Sequence, residues 1–179
     1  MLFRSVDLRL ALQRIAEQAE RAGKVIKSVH NFVRRRDQVR EVLAPQVLLE
    51  AILPLVNLQA RKLQVRVQTE VEADVPCLLC DRTMVEQVLL NLARNAMQAM
   101  DQPHIQERVL QLRVRRGKGE ARHKWIEFSV ADIGTGIAPQ VQQQLFNPFF
   151  TTRVEGMGLG LSLCRTVVEQ HGGALVFEP

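Results

Sequence analysis

Three short stretches in a fixed order constrain this chain most: Asn91-Leu-Ala-Arg-Asn95-Ala, Asp132-Ile-Gly134-Thr-Gly136, and Gly156-Met-Gly158-Leu-Gly160-Leu-Ser. In the first, two carboxamides four residues apart on a helical pattern project from one face. In the second, a carboxylate at the end of an apolar run leads into a tight glycine turn. The third is a glycine run opening another helical pattern, where N–H groups without intrahelical partners can meet an anion. Each alone has an ordinary explanation, as a solvated helix face or a turn. Their co-occurrence requires a fold that brings a helix, a strand end and a helix N-terminus together, and it describes a nucleotide site.

Hydrophobic periodicity supplies the scaffold. Leu8, Leu12, Ile15, Ala19, Ala22, Ile26, Val29 and Val33 fall at alternating steps of four and three, a heptad seam on one long helix that wants a partner. Ala11, Val25 and Phe32 widen that stripe, which suits a helical bundle. Pro45 marks a break, and Gln46 to Lys62 gives a second helix that Pro54 either kinks or truly begins. Leu63 to Val71 and Pro76 to Cys80 read as strands. Asp81 or Thr83 can cap a helix running to about Met100, with Val85, Val88, Leu89, Leu92, Ala96 and Met97 on its buried side. Arg108 to Arg116 and Lys124 to Ala131 read as a hairpin, and Pro139 to Met157 as irregular. Leu159 to His171 reads as a helix ended by Gly172-Gly173, with Ala174 to Phe177 beginning a last strand. The fold class is therefore α+β, a two-layer α/β sandwich with helices on one face of a mixed sheet and the long helix outside it.

Composition closes off other readings. With 46% hydrophobic and 24% charged among 179 residues, the chain can build one substantial core plus an attached helix. No apolar run approaches the roughly 20 residues of a membrane span, and the N-terminus lacks a signal peptide's apolar stretch. A cytoplasmic chain, or the cytoplasmic part of a longer, membrane-attached protein, is expected, without membrane contact of its own. Cys77, Cys80 and Cys164 give no even disulfide framework, and the lone C-x-x-C lacks two further zinc ligands. The net charge of +5 raises the question of nucleic acid, but 4% aromatic residues and no tyrosine leave no stacking platform.

The site residues carry specific chemistry. Asn95 is a candidate oxygen ligand for a phosphate-bound Mg²⁺, and Asn91 would touch phosphate or metal-bound water. Asp132 would accept from an exocyclic amino group, which suits adenine, with Gly134 and Gly136 allowing the backbone near the base. Gly156, Gly158 and Gly160 would place a triphosphate at the positive end of the following helix. The run Phe146-Asn-Pro-Phe149-Phe150-Thr-Thr152-Arg153 reads as a lid, in which Phe149 and Phe150 are either anchors or core plugs and Arg153 either a phosphate contact or a solvated charge.

These motifs give residues 81 to 177 a resemblance to the ATP-binding catalytic domain of sensor histidine kinases, with its N, G1, F and G2 boxes, in the Bergerat fold shared with gyrase and mismatch-repair ATPases. The phrase Phe-Phe-Thr-Thr-Arg resembles kinases of the nitrogen- and oxygen-regulatory type. The resemblance implies ATP and Mg²⁺ as cofactors, Asn91 and Asn95 as catalytic residues, and Asn95 as the metal ligand. It further implies nucleotide contacts from Asp132, Gly134, Gly136, Ile137, Thr152, Arg153, Gly156, Gly158, Leu159, Gly160 and Leu161. Implied partners are a response-regulator receiver domain and a second copy of the chain, paired through the N-terminal helix.

On this reading residues 1–43 resemble the second helix of a dimerisation hairpin, and 44–179 an ATP-binding domain cut before its last strand. The phosphoacceptor histidine is expected to lie outside the chain, since His30, in Ser-Val-His-Asn-Phe, lacks the usual following acid and His104, His123 and His171 have no better claim. Hydrolysing and serine-phosphorylating members of this fold carry a general-base glutamate four residues before the metal-binding Asn. That position is Asn91 here, which cannot take a proton. Two alternatives stay open: an ATP hydrolase or serine kinase of the same fold, and a non-catalytic dimerisation module.

Overall fold

In the computed structural model, residues 8–20, 23, 39–117, 125–153 and 156–178 are described. The chain forms two compact units: Met1–Asp37 with Thr151–Met157, and Gln38–Phe150 with Gly158–Pro179. Within the first unit, residues 8–20 are helical and expose Leu8, Leu12 and Ile15 of the heptad seam. The seam positions from Ala22 onward, and His30, lie outside the described residues.

The second unit begins with β1 (Glu41–Leu43) and α1 (Pro45–Leu63). Pro45 sits in the first turn, where its missing N–H has no intrahelical role. The helix begins there and passes through Pro54 unbroken, so Pro54 does not mark its start. Pro54 is on the exposed side, where water can satisfy the carbonyl one turn back. Leu48, Leu49, Ile52, Val56 and Ala60 form the opposite, buried stripe.

β2 (Arg66–Val71) and β3 (Leu78–Cys80) lead to α2 (Arg82–Ala99), followed by β4 (Val109–Arg116) and β5 (Ile126–Asp132). β4 is the central strand of a mixed sheet, parallel to β2 and antiparallel to β5. Its Leu110, Leu112 and Val114 are buried on one face against the helices. The opposite face is polar, and there Arg115 reaches Glu127 across the hairpin at 2.7 Å. Strict alternation on β4 thus produces the expected layering, helices on one side and solvent on the other.

Two strand expectations change. The single expected sheet is accompanied by a separate antiparallel pair, β1 with β3, in register Val42 with Leu79. Ala174 to Phe177 forms no strand: no described strand pairs with it, and Val176 is 71% exposed.

α2 is capped by Asp81, whose carboxylate accepts from the Met84 N–H at 3.0 Å. Its buried residues are Val88, Leu89, Ala93, Ala96 and Met97, so the inner line runs through Ala93, while Leu92 and Val85 are half-buried. A short α3 (Pro139–Gln142) interrupts the stretch expected to be irregular, and α4 (Gly160–Gln170) closes the fold. His171 ties α4 to α2. Its Nε2 accepts from the Asp81 N–H at 3.0 Å, so its Nδ1 carries the proton donated to the Val167 carbonyl at 2.7 Å. Substituting His171→Ala leaves a part-buried N–H and a carbonyl without these partners. A loss of about 1–2 kcal/mol in urea unfolding is expected; unchanged stability would show the tie to be dispensable.

Among the described residues, no helix is long and apolar enough to cross a membrane.

Candidate functional site

The motifs meet along α2. Asn91 and Asn95 lie one turn apart on it, both half-buried. At the Asn91 level the neighbour is α4: Asn91 Nδ2 donates to Cys164 Sγ at 3.1 Å, and a Cβ on Gly160 would lie 2.9 Å from that nitrogen. Eight residues along, at Ala99, the neighbour is the glycine turn after β5. A Cβ on Gly134 would come within 3.0 Å of the Ala99 backbone. At about 1.5 Å per residue, the two contacts are roughly 12 Å apart along the helix, a length over which a nucleotide can extend.

At the Ala99 end, Asp132 closes β5 and turns one carboxylate oxygen inward, accepting the Gly134 N–H at 2.8 Å. Its side chain is exposed, so the other oxygen is available to a base. Ile137 is half-buried, and its carbonyl accepts from Gln142 Nε2 at 2.8 Å.

At the other end, α4 starts at Gly160 with Leu159 in the cap position and no side-chain cap bond. The first N–H groups of this 11-residue helix therefore have no side-chain acceptor and can serve an anion. Leu159 is buried and Leu161 half-buried, so Leu159 anchors the helix start. Gly158, with φ of +65°, passes so near the Phe149–Phe150 peptide that a Cβ would lie 2.6 Å from the Phe149 oxygen and the Phe150 nitrogen.

Phe149 also has positive φ, +66°, and is 68% exposed, so it is not a core plug. A bulky residue held in that region stores strain of about 1–3 kcal/mol. Phe146 is half-buried, with the Arg165 guanidinium 5.4 Å from its ring centre. Thr152, Arg153 and Gly156 belong to Thr151–Met157 and form turns of their own. There the Thr151 hydroxyl accepts from the Arg153 N–H, and the Gly156 N–H donates to the Arg153 carbonyl, each at 3.1 Å.

Cys164 is the residue that sequence reasoning passed over. It lies four positions after Gly160, hence on the same helix face, a spacing that could have linked it to the site. Burial pushes its thiol up from the ordinary range, while the hydrogen bond from Asn91 pulls it down. Cys80 is also pushed up, by burial and by nearby Asp81, and packs in the core, whereas Cys77 is exposed. A groove of about 420 Å³ between α1 and α2, lined by Leu55, Leu58, Leu90, Arg94 and Met97, includes neither of the two carboxamides, Asn91 and Asn95, nor any of the motif glycines.

The family model of histidine kinase-, DNA gyrase B-, and HSP90-like ATPases matches residues 80–179. The chain belongs to this family. Among its relatives in the ATPase family, the C4-dicarboxylate transport sensor protein DctS of Rhodobacter capsulatus is 39% identical over 173 residues, 96% of this chain and 25% of that protein. The sensor protein FixL of Bradyrhizobium diazoefficiens is 38% identical over 168 residues, 94% of this chain and 32% of that protein. The chain thus spans a third or less of these relatives' lengths. Among solved structures, the catalytic domain of histidine kinase ThkA superposes with a TM-score of 0.61 at 27% identity, covering 74% of this chain and 81% of that one. The ATPase-family fold is therefore that of a histidine kinase catalytic domain, helices on one face of a mixed sheet.

Proposed function

We propose that this chain is the ATP-binding catalytic region of a two-component sensor histidine kinase. It holds Mg-ATP so that the γ-phosphate can pass to a histidine and then to an aspartate on a response regulator. The observation that carries the reading is α2, which brings the two-carboxamide motif against the α4 start and its last turn against the Asp132 glycine turn. Base and phosphates would lie along that helix, with Asp132 accepting from the adenine amino group and the α4 N–H groups facing the phosphates.

Among the described residues, no group of three or more His, Cys, Asp and Glu could hold a metal. Mg²⁺ fits here as an ion arriving with the phosphates, with Asn95 and Asn91 contributing carboxamide oxygens or contacts to its water. When bound it neutralises the phosphate charge; the protein's part is to orient. Asn91, at the position of a hydrolase's general base, leaves water without a proton acceptor there.

The phosphoacceptor would come from elsewhere in the kinase. Both ring nitrogens of His171 are engaged in hydrogen bonds, and His104 is an exposed loop residue. A response regulator as partner is supported by the fold of ThkA, which has been solved in complex with the response regulator protein TrrA; that structure superposes with a TM-score of 0.65 over 96% of this chain. Exposed Leu8, Leu12 and Ile15 support pairing with a second copy through the N-terminal helix. Use of ATP is consistent with a cytoplasmic position.

The deciding experiment is incubation of the purified chain with labelled ATP and Mg²⁺. Nucleotide should bind with negligible turnover and no phosphate should remain on the protein. Label on His30 would overturn the external acceptor, and steady hydrolysis abolished by Asn95→Ala would favour an ATPase instead.

A further inference from the structure

The carboxamide of Asn91 has two chemically different ends, and which one faces the nucleotide decides what it can do. An NH₂ group suits a phosphate oxygen, while a carbonyl oxygen suits a cation or its water. The surroundings fix the choice. The neutral thiol of Cys164 has one hydrogen, which points to the Val88 carbonyl of α2 at 3.9 Å. Its sulfur lone pairs are thereby left to accept, and the group they face at 3.1 Å is Asn91 Nδ2. Gly160, one turn before Cys164, leaves the space in which this carboxamide sits, since a Cβ would come within 2.9 Å of Nδ2 and 3.0 Å of Oδ1.

We propose that Cys164 is a positioning residue: by accepting the Asn91 NH₂ group it turns the Asn91 oxygen toward the metal side of the phosphates. The inference rests on the Mg-ATP reading above. It narrows that reading, because an Asn91 held this way directs its oxygen to the cation and its water, so the hold matters to binding of Mg-ATP more than to binding of metal-free nucleotide.

The test compares Cys164→Ser, which keeps a hydroxyl acceptor, with Cys164→Val and Cys164→Ala, which remove it. Calorimetry on the full chain would give affinities for Mg-ATP and for ATP in chelator. Val and Ala should weaken Mg-ATP about fivefold, the scale of one neutral hydrogen bond, with metal-free ATP unchanged and Ser close to wild type. A parallel loss for both forms of ATP would mean a merely structural role and would overturn the proposal, as would a wild-type ratio in all three variants. A second readout needs no ligand: the Asn91 side-chain NH₂ resonances, identified by their loss in Asn91→Asp, should shift in Cys164→Ala and stay near wild type in Cys164→Ser. If the wild-type chain binds no ATP at all, the nucleotide reading fails with its metal-directed consequence, while unshifted resonances alone would reject the Cys164 contact.

Discussion

Gly158→Ala should weaken Mg-ATP binding more than tenfold. Two costs combine at this position. An L-residue at φ of +65° costs roughly 1–2 kcal/mol, and the added methyl group meets the Phe149–Phe150 peptide, which is backbone and cannot rotate away. Forcing atoms into such a contact adds about 1–3 kcal/mol. Relief requires moving either the Phe149 turn or the start of α4, and the latter carries the N–H groups assigned to the phosphates. Gly172→Ala, beyond the far end of α4, is the control: its φ is +78° but a Cβ there meets nothing within 4 Å, so only the backbone penalty applies. Calorimetric affinities with Gly172→Ala near wild type and Gly158→Ala well below both are expected. Wild-type affinity in Gly158→Ala would show that the close approach is irrelevant to the nucleotide.

The second large effect is at Asp132. Exchange for Asn keeps an oxygen that can accept the Gly134 N–H, so the turn and the melting temperature should be preserved. The charge is lost, and with it a charge-assisted hydrogen bond of about 1.5–3 kcal/mol to the adenine amino group. ATP affinity should therefore fall by about ten- to a hundredfold. Guanine offers a carbonyl oxygen where adenine offers the amino group, so the wild-type chain should reject GTP. An Asp132→Asn variant that binds ATP as well as wild type would remove the carboxylate from base recognition.

Much of this was legible in the sequence because it depends on local pattern. Val109–Arg116 was readable as one strand of a hairpin, and the start of α2 as a cap at Asp81 or Thr83, which the structure resolves to Asp81 through a bond only three residues long. What the pattern hid depends on distant contacts. In the β1–β3 pair, Leu78–Cys80 falls within the stretch Pro76 to Cys80 that reads as a strand, but its partner Glu41–Leu43 is three residues long, too short to alternate recognisably. Ala174 to Phe177 has strand-like residues, but a strand also needs a neighbour's hydrogen bonds, which no window of sequence reveals. On α2 the choice between Leu92 and Ala93 as the inner residue turns on about 100° of helix rotation, set by what packs against it. In the site, the residue types and order were readable, whereas the Asn91–Cys164 bond joins residues 73 apart. Cys164 had no distinguishing neighbours in sequence beyond its four-residue interval from Gly160.

The spacing of contacts on α2 makes that helix a gauge with a fixed phase. Loops around the site can change length and leave both of its ends in place. Within residues 91–99, inserting one residue would lengthen the helix by about 1.5 Å but swing everything beyond it by about 100°. Asn91 and Ala99 would then address different walls. Related chains that keep this arrangement should therefore hold the interval from Asn91 to Ala99 constant in length, with Asn95 one turn inside it.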